Sequence, residues 1–262
     1  MLIQFYCDFM EDADMNIRKI FNSNYLKLIA IIAMTIDHAT DLLFPGFPSQ
    51  PAPLVLHFFG RLTAPIMWFF VCEGFHYTRD VKKYMMRLGI FAVISHFAYC
   101  FGFGISLNPF EGGIFNRTSV MYPLFIAVVI LYIENYVTSL KKWQKILINT
   151  ILIFSAFPAD WSCIAVMAIL GMYSVRGNLE KQMIKMIFWV LCYAVVSYFF
   201  VSKVYAIELI GILMVYPVLK LYNGERGKAK WMKWFFYLFY PLHLVIIGII
   251  RALVYGNVNI CL

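Results

Sequence analysis

The chain has 262 residues, of which 62% are hydrophobic and only 14% are charged, and its formal net charge is +8. The mean hydropathy of +0.75 lies far outside the range of soluble domains, which excludes that class. This composition predicts an all-α fold, a polytopic integral membrane helix bundle. The basic residues are scattered over short loops rather than gathered on one face with stacking aromatics. The expected partner is therefore the lipid bilayer, and no nucleic acid is expected.

Apolar runs between charged or Pro/Gly-rich breaks predict about nine transmembrane spans, because a helix needs about 20 residues to cross a bilayer. The fifth and sixth runs are shorter than this. They are either tilted, partly re-entrant, or the two arms of one broken hairpin around residues 157–160. The predicted spans are residues 24–44, 53–75, 84–104, 119–138, 145–158, 161–175, 183–202, 204–221 and 232–255.

The distribution of Lys and Arg predicts a cytoplasmic N-terminus and a C-terminus outside. In this topology 18 of the 22 basic residues lie in cytoplasmic segments, and only Arg117, Lys203 and Arg251 lie in outer ones. Residues 1–22 are too acidic for a secretory signal, so we expect a short cytoplasmic lead-in followed by a single transmembrane domain over 23–262. The six cysteines are scattered without CxxC spacing, and we expect neither a metal site nor a disulfide framework.

Two ionisable residues, Asp37 and His38, lie side by side in the first span. Such residues are costly within a membrane and usually pair or serve a function. Neighbours on a helix point about 100° apart, so we expect Asp41, at i+3, to orient His38. Asp37 is then free to neutralise Arg61 in the second span, at a similar depth. The alternatives are an ion pair that serves packing alone and a histidine that bonds only a backbone carbonyl.

Further polar residues mark the inner end of the second span and the middle of the last span. Basic groups beside Glu73 and His76 suit the phosphates of a nucleotide-like cofactor, although a positive-inside anchor explains them equally. In the last span Pro241 can bend the helix toward a cavity. His243 then lies near the middle of the membrane. The residues expected to bind a cofactor are Glu73, His76, Arg79, Lys82, Lys83 and His243.

Four motifs together resemble the TraX family, whose namesake acetylates the N-terminus of conjugative F-pilin. They are the Asp-His that ends span one, Gly-Arg-x-x-x-Pro and Glu-Gly-Phe in span two, and Tyr-Pro-x-His in the last span. The resemblance runs from Asn24 to about Leu244. It implies a multi-pass acyltransferase of the bacterial inner membrane that takes acetyl from cytosolic acetyl-CoA. It implicates the following residues in the site: Asp37, His38, Arg61, Glu73 and His243.

Our hypothesis for the reaction follows from these residue types. His38, oriented by Asp41 or Asp37, acts as general base on an amine or hydroxyl. Arg61 stabilises the oxyanion, and acetyl-CoA docks near Arg79, Lys82 and Lys83. A transient acetyl-His38 is an alternative. The acceptor implied by the resemblance lies outside the cytoplasm, either a pilin-like N-terminus or an envelope glycan. Two rival functions remain open: a transporter or flippase with a buried Asp/His/Arg relay, and a non-enzymatic assembly factor.

Overall fold

The structure is a computed structural model that describes residues 19–46, 48–108, 111, 116–229 and 231–256. Within these ranges the fold is all-helical, with two isolated β-bridges. The prediction for residues 1–22 falls largely outside them. The helices are α1 (Ser23–Leu43), α2 (Pro51–Gly60), α3 (Thr63–Tyr77), α4 (Val81–Phe103), α5 (Met121–Tyr136), α6 (Lys142–Ser155), α7 (Ser162–Ser174), α8 (Leu179–Phe200), α9 (Lys203–Glu208), the 3-10 helix Leu209–Met214, α10 (Val215–Lys220) and α11 (Met232–Tyr255).

Four segments of the described chain are both long and apolar enough to cross a membrane. They are α2 and α3 taken together, α4, α8 and α11. The predicted fifth and sixth runs form two separate short helices, α6 and α7, of 14 and 13 residues. The expected span at 204–221 is not one continuous helix but α9, a 3-10 helix and α10. Gly211 explains the close packing there, because a Cβ atom would lie only 2.6 Å from the carbonyl oxygen of Phe58 in α2.

The predicted second span is interrupted between α2 and α3. The chain makes a turn at Arg61 and Leu62, where the N–H of Leu62 donates to the Phe59 carbonyl at 3.2 Å. This turn places Arg61 at the junction of the two helices. Gly60 precedes it and lies directly against Asp37 of α1, so that any Cβ at this position would collide with the Asp37 side chain. The break and the glycine together bring the polar groups of α1 and α2 into contact.

Backbone hydrogen bonds tie the start of α1 to the loop before α11. The N–H of Phe21 donates to the Leu221 carbonyl at 2.9 Å, and that of Asn223 donates to the Phe21 carbonyl at 2.8 Å. Asn22 caps α1, because its side chain accepts from the N–H of Asn24. The first turn of α1 and the 221–226 loop consequently lie at the same end of the bundle.

At the opposite end, Arg251 of α11 is buried and caps α4. Its guanidinium donates to the carbonyls of Gly102 at 3.2 Å and Phe101 at 3.1 Å, which are among the last carbonyls of that helix. α4 and α11 also approach closely, since a Cβ on Gly102 would lie 3.0 Å from the Leu244 carbonyl. This packing fixes α11, and with it His243, against its neighbours.

The loops before α5 and α7 run side by side. The N–H of Arg117 donates to the Pro158 carbonyl and that of Asp160 to the Thr118 carbonyl, both at 2.7 Å. Trp161 and Ser162 have φ values of 63° and 49°, a left-handed conformation that costs free energy in residues other than glycine. This conformation holds Asp160 beside the buried polar groups described next.

Candidate functional site

His38 of α1 and His243 of α11 form a buried pair. Nδ1 of His38 lies 2.8 Å from Nε2 of His243, and Nδ1 of His243 lies 2.9 Å from the Phe239 carbonyl oxygen. A carbonyl only accepts, so in the neutral pair the Nδ1 of His243 carries a hydrogen and its Nε2 is an acceptor. The Nδ1 of His38 therefore donates to His243, which leaves the lone pair of His38 on Nε2. The pair makes His38 a base at one defined nitrogen.

Aromatic rings hold both imidazoles in place. The Phe239 ring stacks on His243 at 5.3 Å between centroids, and the Phe103 ring meets His38 edge-on at 5.4 Å. His243 was expected among the cofactor-binding residues, and the structure places it against His38 instead. The reason is its position: it lies three turns into α11, well away from the basic end of the bundle.

Asp37 forms the centre of a second polar cluster. Its Oδ1 lies 2.7 Å from Nδ1 of His57, and its Oδ2 accepts from Nη1 of Arg61 at 3.3 Å. The predicted Asp37–Arg61 ion pair is thus confirmed. Nη2 of Arg61 donates to Glu208 at 2.8 Å, and its guanidinium also lies 4.9 Å from the centre of the Tyr205 ring. Two carboxylates and an aromatic ring therefore hold Arg61. It does not line the small chamber beside His38 that is described below.

The expectation that Asp41 orients His38 is wrong. His38 faces α11, where His243 takes its Nδ1 hydrogen, whereas Asp41 faces α2, with its Oδ1 3.7 Å from Nε2 of His57. His96 of α4 also lies apart from His38 and bonds Thr118 and the Leu107 carbonyl. Helical spacing identified residues on one face of α1 but could not identify which neighbouring helix lies against that face.

A large cavity with basic walls opens at the end of the bundle where α1 and α11 begin. Its volume is about 800 Å³. Among the described residues that line it, Glu73 is the one carboxylate. The basic side chains lining it are Lys27, Arg79, Arg87, Arg226 and Lys233. Such a wall suits a polyanion, and phosphate groups in particular.

A chamber of about 30 Å³ continues from the inner end of this cavity. Met34, Met67 and Tyr240 line both spaces. Asp37 and His38 line the chamber, together with Asp160 and Trp161. The basic cavity therefore adjoins the chamber beside His38, and Tyr240 stands in the wall of both.

Glu73 is neutralised within the basic cavity by Arg176, from the loop after α7. Nε of Arg176 donates to Oε1 of Glu73 at 2.8 Å and Nη2 donates to Oε2 at 3.2 Å. This two-point geometry is the strong form of the Arg–carboxylate pair. Glu73 lines the cavity as expected, whereas Arg176 was predicted to be no more than a positive loop charge.

The remaining predicted cofactor-binding residues divide into two groups. Arg79 lines the cavity, whereas His76, Lys82 and Lys83 are exposed and do not. Lys83 instead pairs with Asp80 at 3.3 Å, because both belong to the capped first turn of α4. The backbone N–H of Lys83 also donates to the Asp80 carboxylate and thereby lowers the pKa of Asp80 below its ordinary value.

Several residues of the site were missed by the sequence reasoning. The one recoverable signal was Glu208, a lone carboxylate in an otherwise apolar run, which a membrane segment rarely keeps without a partner. Asp160 gave no comparable signal, whereas Tyr240 was expected, with Tyr237 and His243, to line a narrow passage, and it lines both spaces. In the described part of the chain, no group of three or more His, Cys, Asp or Glu side chains could hold a metal ion.

The apolar helices and the buried ionic cluster define an all-helical membrane protein with a basic cavity and a buried histidine pair. The chain belongs to the TraX protein family, whose profile matches residues 22–251. It is 32% identical over 234 residues to a protein of Dichelobacter nodosus named "Probable fimbrial assembly protein FimC, serogroup H1", covering 87% of this chain and 94% of that protein. No solved structure matches the chain.

Proposed function

We propose that the chain is a multi-pass acyltransferase of the bacterial inner membrane. It takes acetyl from cytosolic acetyl-CoA and transfers it to an amine or hydroxyl of an acceptor outside the cytoplasm. In this proposal the nine predicted spans, with the N-terminus inside and the C-terminus outside, direct the basic cavity toward the cytosol. The observation that carries the proposal is that this cavity adjoins the chamber beside His38, because Met34, Met67 and Tyr240 line both spaces.

The distance from the basic wall to His38 agrees with the length of a CoA thioester. Lys27 in the wall of the cavity and His38 in the chamber are eleven residues apart on α1, about 16 Å along the helix axis. An extended pantetheine arm covers this distance. The phosphates and nucleotide would then lie among the basic side chains, and the thioester would reach the point where Tyr240 lines both spaces. The chamber beyond is small, which suits an acetyl group.

The chemistry assigns one task to each group near the thioester. Nε2 of His38 removes a proton from the acceptor nitrogen or oxygen, which attacks the carbonyl carbon. As the C–S bond breaks, the sulfur takes that proton from the imidazolium. His243 orients His38, and in this proposal the Tyr240 hydroxyl donates to the thioester oxygen, in place of Arg61. The alternative, acetyl transfer to Nε2 of His38 first, uses the same free nitrogen.

Mass spectrometry of the cell envelope tests the proposal. Envelope proteins and glycans from cells with the wild-type chain should carry an acetyl group that is absent after deletion of the gene and in His38→Gln cells. His96→Gln is the matched control, because this histidine lies outside the site, and its cells should keep the acetyl group. An unchanged envelope in deletion cells would contradict the proposal.

A second candidate function is that of an assembly factor for surface fibres, without catalysis. The name of the Dichelobacter nodosus relative, a probable fimbrial assembly protein, favours it. In that case the buried polar network only joins helices. Substitutions in the network would then lower the amount of folded protein and the number of fibres in parallel. A transporter using the same network differs from the enzyme, because it would leave acetyl-CoA unconsumed.

A further inference from the structure

The basic cavity and the small chamber share one residue from each of three helices. On α1, Lys27 lines the cavity and His38 lines the chamber, whereas Met34 lies between them and lines both. Met67 is the shared residue on α3, and Tyr240 is the shared residue on α11. These three side chains therefore form the boundary between the two spaces. Among them the two methionines have no task in the chemistry proposed above.

Helical spacing places both methionines beside the reacting groups. Met34 lies one turn before His38 on α1, and Met67 lies one turn after Ala64 on α3, so each pair shares one face of its helix. His38 and Ala64 both line the chamber. In the proposed reaction Tyr240 donates to the thioester oxygen at the boundary. The carbons of the acyl group then extend from this boundary along the two methionines.

The chamber has room for few atoms. Its volume of about 30 Å³ accommodates about two groups the size of a water molecule, since each requires about 10–15 Å³ of cavity. Acetyl transfer fills this space with the methyl group of the acetyl and the attacking nitrogen or oxygen of the acceptor. A propionyl thioester brings one further carbon, which fits only if part of the wall moves.

The wall of the chamber is held in place by its packing. Arg61 binds the carboxylate of Asp37 at 3.3 Å, and the ring of Trp161 meets that of Trp68 edge-on at 5.2 Å between centroids. The two methionines are only 4% and 5% exposed. In a closely packed interior such side chains do not swing aside without displacing their neighbours. The methionines therefore limit the space beside the acyl group.

We propose that Met34 and Met67 set the length of the acyl group that the protein transfers and limit it to two carbons. The inference rests on the proposed acyl transfer and assigns its selectivity between acyl donors to these two side chains. The reaction itself is unchanged: the acceptor atom bonds to the carbonyl carbon, the C–S bond breaks, and the sulfur takes the proton. Shortening either methionine widens the opening between the chamber and the donor cavity and makes room for a longer acyl group.

The test is a competition between two acyl donors. The full chain in proteoliposomes is supplied with acetyl-CoA and propionyl-CoA at equal concentrations. The acceptor is a peptide with both a free α-amino group and a serine hydroxyl. Mass spectrometry of the peptide gives the ratio of acetylated to propionylated product, which equals the ratio of kcat/KM for the two donors. This ratio does not depend on how much of each variant folds.

We expect the wild type to favour acetyl over propionyl by about 10- to 200-fold, the range for one methylene in an apolar site. Met67→Ala and Met34→Ala should each lower this preference about tenfold or more, and each provides a second variant if the other does not fold. Met67→Leu nearly conserves the volume and should keep the preference. Met121→Ala is the matched control, because Met121 is 3% exposed and lines the large cavity but not the chamber. Its preference should equal that of the wild type.

Two results would overturn the inference and leave the acyl transfer intact. One is a wild type that acetylates and propionylates the peptide equally. The other is a preference that both Met67→Ala and Met34→Ala leave unchanged, or that Met121→Ala lowers as much as they do. A peptide that the wild type leaves unmodified with both donors would contradict the acyl transfer itself.

Discussion

His38 donates its Nδ1 hydrogen to Nε2 of His243 across 2.8 Å, and this bond, together with the bond from His243 to the Phe239 carbonyl, leaves Nε2 of His38 as the free base. The arrangement assigns His243 a positioning role that a carboxylate often has beside a catalytic histidine. His243 differs from a carboxylate in one respect. In the neutral pair it fixes the tautomer of His38 without adding a negative charge to the chamber.

Replacement of His243 should lower kcat without changing the KM for acetyl-CoA. In His243→Ala, His38 keeps its place on α1 but loses the acceptor that fixes its tautomer, so we expect kcat to fall about 10²-fold. His243→Gln, which offers a side-chain oxygen as acceptor, should recover part of that loss. Steady-state kinetics in proteoliposomes checks both. A rise in KM with unchanged kcat would show that His243 binds the donor after all.

The walls of the large cavity should determine the affinity for acetyl-CoA. Lys27, Arg226 and Lys233 line it, whereas Lys82 and Lys83 do not. Arg226→Gln combined with Lys233→Gln should raise KM about tenfold or more, because each lost charge-assisted bond is worth about 1.5–3 kcal/mol. Lys82→Gln combined with Lys83→Gln is the matched control and should leave KM unchanged. If the Lys82/Lys83 double variant raised KM and the Arg226/Lys233 double variant did not, acetyl-CoA would bind outside this cavity.

The pair of Glu73 and Arg176 predicts a rescue by a second substitution. In Arg176→Gln the carboxylate of Glu73 is no longer neutralised and faces the phosphates of the donor, so KM for acetyl-CoA should rise. Adding Glu73→Gln removes that charge and should bring KM back toward the wild-type value. A double-mutant cycle in KM measures this coupling. Additive effects of the two substitutions would show that Glu73 does not face the donor.

Glu208 should contribute to stability more than exposed charges do. It is fully buried and accepts from Arg61 at 2.8 Å. Glu208→Ala leaves a buried arginine with Asp37 alone, and removing one partner of a buried pair costs about 3–5 kcal/mol. Lys83→Gln, whose side chain is exposed, is the control and should leave the melting temperature unchanged. Thermal unfolding in detergent compares the two, and equal melting temperatures would contradict the assignment.

The helices were predictable where one apolar run forms one helix. The run at 232–255 corresponds to α11 (Met232–Tyr255), and the run at 24–44 corresponds closely to α1. The run at 204–221 was equally apolar but is divided into three short elements. Apolar composition cannot reveal this division, which accompanies the contact of Gly211 with the backbone of α2.

The contacts of the site were predictable only where burying a charged side chain costs so much free energy that it requires a group of opposite charge beside it. An arginine in a membrane segment requires a carboxylate, and this requirement correctly paired Arg61 with Asp37. The pairing of His38 with His243 joins residues that are 205 positions apart. One sequence contains no information on which face of α11 meets α1, so helical spacing favoured Asp41, the nearest polar neighbour on the same helix.

Release of free CoA thiol from acetyl-CoA by the purified protein in proteoliposomes tests the central claim most directly. The wild-type chain, supplied with an amine acceptor, should release thiol and form the acetylated product in equal amounts. His38→Gln should reduce both about 10²-fold or more, with the protein still inserted and its melting temperature unchanged. His96→Gln should behave as the wild type. Equal thiol release by wild type and His38→Gln would contradict catalysis at His38, and no release by either would contradict acyl transfer altogether.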